Sequence, residues 1–300
     1  MASAPFPIST LDLTQLIDSG GTFPEPGPGP ATNVMALVRT LAYGGPAYGA
    51  QSCDGQLLPV PNYQPLFSLL GTSYGGDGEM HFALPNLRQK SAIGGGTQQQ
   101  APTAEAQPMT YMIAVEGDAG DAAFPMLGAI GLFAALHPPA GWLVADGSIL
   151  PLMQYVSLFE VIGTAFGGNG ETTVQLPDLN GCAAVGAGRG ASASIALGQQ
   201  VAAGPDTPVA CLGLNYIINV SGSAPPSSGN GGFPDSSSVL GEVIAFAGAN
   251  IPGGWLPADG REMLVADNQA LFELIGTTFG GEGETSFCLP DARVRMVVGT

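Results

Sequence analysis

One block of this sequence is written three times, and any fold proposed for the chain has to accommodate that first. "YGGDGEMHFALPNLR" runs from Tyr74 to Arg88, "FGGNGETTVQLPDLN" from Phe166 to Asn180, and "FGGEGETSFCLPDAR" from Phe279 to Arg293. The match extends upstream without gaps. Asp-Gly recurs at Asp54/Gly55, Asp146/Gly147 and Asp259/Gly260, Leu-Phe at Leu66/Phe67, Leu158/Phe159 and Leu271/Phe272, and Gly-Thr at Gly71/Thr72, Gly163/Thr164 and Gly276/Thr277. Self-similarity at a long period is the mark of a modular array. A loop present in every copy belongs to the frame of the module before it belongs to a unique active site.

The glycines do not make a nucleotide site. A P-loop needs a lysine after its glycines to neutralise phosphate, whereas here Glu284 follows Gly283. The residues after that run into a strand-like "TSFCL" and not into the helix of a dinucleotide-binding fold. Each copy reads instead as a short apolar stretch, an Asp-Gly turn, one short helix, the glycine loop, and a strand ending in Leu-Pro. In the third copy Asp267 is placed to cap the helix, with Leu271, Leu274 and Ile275 on one face and Gly276 as its stop. Asn62 stands at the matching position of the first copy, with Pro65 in the first helical turn. Trp142 and Trp255 read as core anchors of copies two and three, where the first copy has Ala50.

This ordered series resembles the phage tail collar domain, a family that includes bacterial proteins labelled microcystin-dependent. The third copy matches over Gly241 to Thr300, the second from Gly128, and the first from about Ser52. The resemblance implies a small β-rich α+β module of tail fibres and extracellular appendages, with no catalytic residues to carry over. The expected fold is therefore α+β and β-rich, with three tandem collar-like modules, each of short strands, one short helix and long Gly/Pro-rich loops. The expected layout is an N-terminal arm and linker over 1–32, a diverged module over 33–117, a linker over 118–127, a second module over 128–222, a Ser/Gly/Pro linker over 223–240, and a third module over 241–300.

Composition supports a structural, non-enzymatic reading. Charged residues are only 10% of the chain, far below the usual quarter. Seven Lys+Arg against 24 Asp+Glu give a net charge of −17, which disfavours nucleic acid and anionic membranes as partners. No apolar run approaches a membrane span, and the first residues do not form a standard signal peptide. An extracellular, cell-surface or virion location is expected, by a route the sequence does not specify. No cofactor is expected. His81 and His137 fall outside the shared frame, so no nucleophile–base set forms. None of Cys53, Cys182, Cys211 and Cys288 makes a C-x-x-C, which disfavours a zinc site. The cysteines read either as four small buried hydrophobes or, in an oxidising compartment, as including a Cys182–Cys211 disulfide. Asp77, Asn169 and Glu282 share one loop position, whose exposure leaves glycan binding open.

The segments between the modules carry the assembly expectation. "MTYMIAVEG" (Met109–Gly117) and "LNYIINVSG" (Leu214–Gly222) alternate in the same phase, with Tyr111, Ile113 and Val115 matching Tyr216, Ile218 and Val220. They read as strands that return to complete their own modules. The third copy stops at "MVVGT" with no such strand, which would leave a sheet edge open. The arm "FPISTLDLTQLIDSGG" (Phe6–Gly21), behind the stiff "TFPEPGPGPATN", is apolar enough to fill it. Phe6, Ile8, Leu11, Leu13, Leu16 and Ile17 are the candidate donor residues, and Met296, Val297 and Val298 the candidate acceptors. If the arm enters the next subunit, the contact is heterologous and builds a head-to-tail homopolymeric filament. If it folds back, it closes its own chain. The other reading is a tail-fibre adhesin that binds a cell-surface glycan.

Overall fold

The computed structural model of the chain describes residues 8–20, 23–24, 34–44, 50–95, 104–117, 126–135, 137–191, 193–204, 209–221 and 239–300. Among the described residues it is β-rich, with three α-helices of seven residues: α1 (Gln64–Leu70), α2 (Val156–Ile162) and α3 (Gln269–Ile275). Each helix buries two residues spaced by four, Leu66 and Leu70, Leu158 and Ile162, or Leu271 and Ile275, because that spacing stacks side chains on one face. Leu274, expected on the same face, is only half-buried. Each helix stops at a glycine, Gly71, Gly163 or Gly276, the last as the sequence predicts. The caps differ from expectation. α1 and α3 begin one residue later, after Tyr63 and Asn268, and neither residue makes a side-chain cap bond. A preceding turn, closed by Tyr63 N–H to Val60 O and Asn268 N–H to Val265 O at 3.1 Å each, already orders the entry.

Beside each helix lies a two-stranded outer hairpin: Leu57–Pro59 with His81–Ala83, Ile149–Pro151 with Thr173–Gln175, and Glu262–Leu264 with Ser286–Cys288. The helix packs on the hairpin through aromatic contacts, Phe67 on Phe82 at 5.4 Å and Phe272 on Phe287 at 5.5 Å. The glycine loop is the turn that joins them. Gly281 sits at φ +99°, and a Cβ there would lie 2.4 Å from Phe287 Cα, so only glycine lets the loop lie against the strand it feeds. In the first two copies the loop's polar side chain also serves the turn. Asp77 Oδ1 accepts from the backbone N–H of Glu79, Met80 and His81, and Asn169 Oδ1 from those of Glu171, Thr172 and Thr173.

The remaining strands close around a common centre. Three wall strands, Leu37–Leu41, Ala129–Phe133 and Val243–Phe246, follow one another in a ring. Leu37 pairs with Phe133, Ala129 with Phe246, and Glu242 with Leu41. A second set, Ser91–Ile93, Cys182–Gly186 and Arg295–Gly299, ends the three modules. Modules are stitched together by strands that belong to two of them at once. Ala210–Leu214 runs parallel to Cys182–Gly186, and the same strand continues as Asn215–Ile218, antiparallel to Val243–Phe246. Ala106–Pro108 and Thr110–Ala114 do the same between modules one and two. The sequence predicts that Met109–Gly117 and Leu214–Gly222 return to their own modules. They do not: the residues that return are those leading into them, Ala106–Pro108 and Ala210–Leu214, while Thr110–Ala114 and Asn215–Ile218 pair with the next module, because its wall strand offers an antiparallel edge in direct continuation.

Candidate functional site

The assembly residues singled out from sequence meet at the seam between module three and module one. Ser9–Leu13 runs parallel to Arg295–Gly299, with Ser9 opposite Arg295, Leu11 opposite Val297 and Leu13 opposite Gly299. The same strand continues as Thr14–Ile17 against the first wall strand, Thr14 opposite Leu41 and Ile17 opposite Val38. Its last residues also flank Ala50–Ser52. The register repeats that of the other two junctions: Cys182 lies opposite Ala210, and Thr110 and Asn215 lie opposite Phe133 and Phe246. The three junctions therefore share one backbone pattern, and in this structure the arm that fills the third comes from the same chain.

The donor side chains divide among four hydrophobic clusters. Leu11 and Leu13 join Leu271, Ile275, Phe287 and Val297 in the third module. Ile17 joins the large core, which runs through the first two modules to Ile244, Phe246 and Trp255 of the third, Leu16 packs with Leu41 and Val239, and Ile8 packs with Val185 and Met296. Phe6 lies outside the described residues. The change of partner explains a feature of the sequence. The strand alternates while one face is covered, then is buried at Gln15, Leu16, Ile17 and Asp18 in succession, where strands flank it on both edges.

The glycines of the closing strands make the junctions tight. A Cβ on Gly94 would lie 2.0 Å from Leu179 O, on Gly186 1.8 Å from Ala292 O, and on Gly299 2.7 Å from Leu87 O. Each therefore sits against the backbone of the next module around the ring. Tyr111 crosses one junction, donating to Ala92 O at 3.1 Å and accepting from Ala184 N–H at 3.4 Å. Gln15, Tyr111 and Tyr216, from the three bridging strands, line a small central cavity of ≈ 50 Å³.

The seam also contains charge that the other junctions lack. Arg39 donates to Glu242 at 3.2 Å, with side chains 2% and 1% exposed. Glu242 accepts from Val239 N–H as well. Asp18, fully buried in the arm strand, has its carboxyl pushed up to about 7 by desolvation, offset in part by Arg39 and the Gly20 N–H. Sequence reasoning singles out neither the pair nor Asp18. The signal is present, since Arg39 and Glu242 each stand in an otherwise apolar strand segment.

The cysteines are free thiols, and no disulfide joins Cys182 to Cys211. Their strands are neighbours, but Cys211 lies opposite Ala183, so alternation sends the two side chains to opposite faces. Cys211 instead contacts Met296 sulfur at 3.7 Å, and burial pushes its thiol up to about 12. Among the described residues no group of three or more His, Cys, Asp or Glu converges on one point, and no helix is long and apolar enough to cross a membrane.

No curated protein and no solved structure matches the chain. The family model of the phage tail collar domain matches three times, over residues 37–92, 128–184 and 241–297, together more than half of the chain. Its starts at 37, 128 and 241 fall at the three wall strands, including that of the first copy, where the repeat is least visible in sequence. The chain belongs to the phage tail collar domain family, with three copies in tandem, and is a structural protein of phage-tail type.

Proposed function

We propose that this chain is a non-enzymatic structural subunit of a tail-type particle or extracellular bacterial fibre, and that its three collar modules work as one closed unit. The observation that carries this reading is the arm strand in the third module's edge, in the register of the two covalently continuous junctions. Closure within the chain has the advantage of effective concentration, since a tethered strand competes at millimolar strength without a partner. A virion or extracellular location accords with the family.

The head-to-tail filament uses the same contact with a different donor, Ser9–Leu13 of one subunit entering the third module of the next. Light scattering and negative-stain microscopy of the full chain, beside a variant lacking residues 1–18, separate the two. A monomer that loses stability without its arm supports the closed unit. Filaments formed only by the full chain support exchange. Equal stability and equal size with and without the arm would sink both.

A glycan-binding adhesin is the second reading, favoured by the apolar side chains exposed on the outer hairpins and their loops. Leu57, Met80, Ile149, Met153 and Leu264 are all more than half exposed. Binding of the purified chain to a glycan array, lost on replacing Ile149 and Met153 by serine, would support it.

A further inference from the structure

The three junctions share a backbone register, so backbone pairing alone cannot tell one from another. Two ends are open to choice: the acceptor edge of module three, and the arm and wall strand of module one. While several copies are still folding, before the continuous junctions have closed, module three of one chain could pair with the wall strand of module two or three of another in the same backbone pattern.

Side chains break this degeneracy. The wall position of Arg39 is occupied by Gly131 in module two and Ile244 in module three, and the position of Glu242 by Leu37 in module one and Ala129 in module two. At the two continuous junctions the corresponding pairs are apolar, Leu37 with Gly131 and Ala129 with Ile244. At the seam they are Glu242 and Arg39, 3.2 Å apart and buried. Any wrong closure at an open end sets Glu242 against Gly131 or Ile244, or sets Arg39 against Leu37 or Ala129. Each such closure leaves one charge buried without its counterpart, which is strongly unfavourable, whereas a matched buried pair is close to neutral against apolar packing.

We propose that the Arg39–Glu242 pair is the address of the seam: it selects a first module as the only partner of a third module, whether the two come from one chain or from two copies. This rests on the reading of the chain as a closed three-module unit, and it names the partner that unit accepts, a second copy of the same chain through one specified pair of modules.

Charge reversal tests it. Arg39→Glu and Glu242→Arg each place like charges at the seam of their own chain. Mixed and refolded together, the two variants can satisfy both seams by exchange. One seam then carries the reversed pair, an acid from the first variant against a guanidinium from the second, and the other carries the native Arg39 and Glu242. The expected result is a 1:1 heterodimer, with at least about tenfold more ordered soluble protein than either variant gives alone, while the two changes in one chain restore the monomer. The variant R39I/E242L carries the residues of the equivalent positions. It is expected to fold, but to refold into species of mixed size because its seam no longer discriminates. A uniform R39I/E242L monomer at the parent's yield would overturn the address and leave the closed unit standing. So would a mixture no better than its components beside a recovered double variant. The closed unit itself fails separately, if removing residues 1–18 leaves stability unchanged.

Discussion

Leu11 and Val297 lie opposite one another in parallel strands, joining the first described segment of the chain to the last. Both are buried in the third module's core, Leu11 at 7% and Val297 at 8% exposure, and Leu13 beside them is at 2%. The arm is thus part of that core and not a decoration on it. Leu13→Ala is expected to destabilise by about 3 kcal/mol, in the range for a buried leucine whose site only partly collapses. Amide protection should fall first along Arg295–Gly299. Urea unfolding with hydrogen exchange checks this, and unchanged protection of those amides would count against the arm as a structural strand.

Gly186 tests how tightly the modules abut. Its Cβ would fall 1.8 Å from a backbone oxygen of the next module, and a backbone atom cannot swing aside as a side chain can. Gly186→Ala is expected to cost about 3 kcal/mol or more and to loosen the junction of modules two and three. Gly44, with nothing within 4 Å, is the control. Gly44→Ala should stay within about 0.5 kcal/mol, as surface changes usually do.

The repeat, the helices with their glycine stops and the turn role of the glycine loop were legible because each rests on local chemistry within one copy. Junction architecture was less so. Tyr111, Ile113 and Val115 announce a strand by alternation, but alternation does not say which module's edge the strand prefers. The arm's mixed phase at Leu13 to Leu16 hid its register because the strand changes partners there. Arg39 and Glu242 stand far apart in the chain, and nothing local to either one names the other.

Strain at an equivalent turn gives a stabilising prediction. Gln89, Gly181 and Val294 occupy matching positions before the closing strands, at φ +54°, +67° and +56°. Glycine suits that conformation, while other residues carry a cost of roughly 1–2 kcal/mol. Val294 is 7% exposed and packs in the core, so replacing it forfeits burial. Gln89 is exposed and forfeits little. Gln89→Gly is expected to raise stability by about 0.5–1 kcal/mol after the entropy cost of glycine, read as a higher urea midpoint at unchanged slope. A lower midpoint would mean that the turn holds Gln89 without strain.

Asp18 ties the seam to pH. Its folded pKa of about 7 stands above the ordinary value of 3.8, chiefly through desolvation. The native chain therefore holds this proton through the window from about 4 to about 7 while the unfolded chain has released it. Linkage then makes stability fall as pH rises across that window and level off above it. The drop is on the order of 4 kcal/mol if the full shift is realised. Of the charged groups nearby, Arg39 works against the shift, and its partner Glu242 shares that guanidinium. The third module shows what relieves the cost. Asn219 occupies the position of Asp18, fully buried and uncharged, and its Oδ1 accepts from Ser221 N–H at 2.9 Å, whereas neither Asp18 oxygen has a partner at hydrogen-bond distance. Asp18→Asn is thus expected to keep the turn, to be more stable than the parent above pH 7, and to remove the decline between pH 4 and 7. Urea midpoints of parent and variant at pH 4.5 and pH 8 measure the difference directly, and parallel profiles would show that Asp18 is ionised in the folded chain throughout.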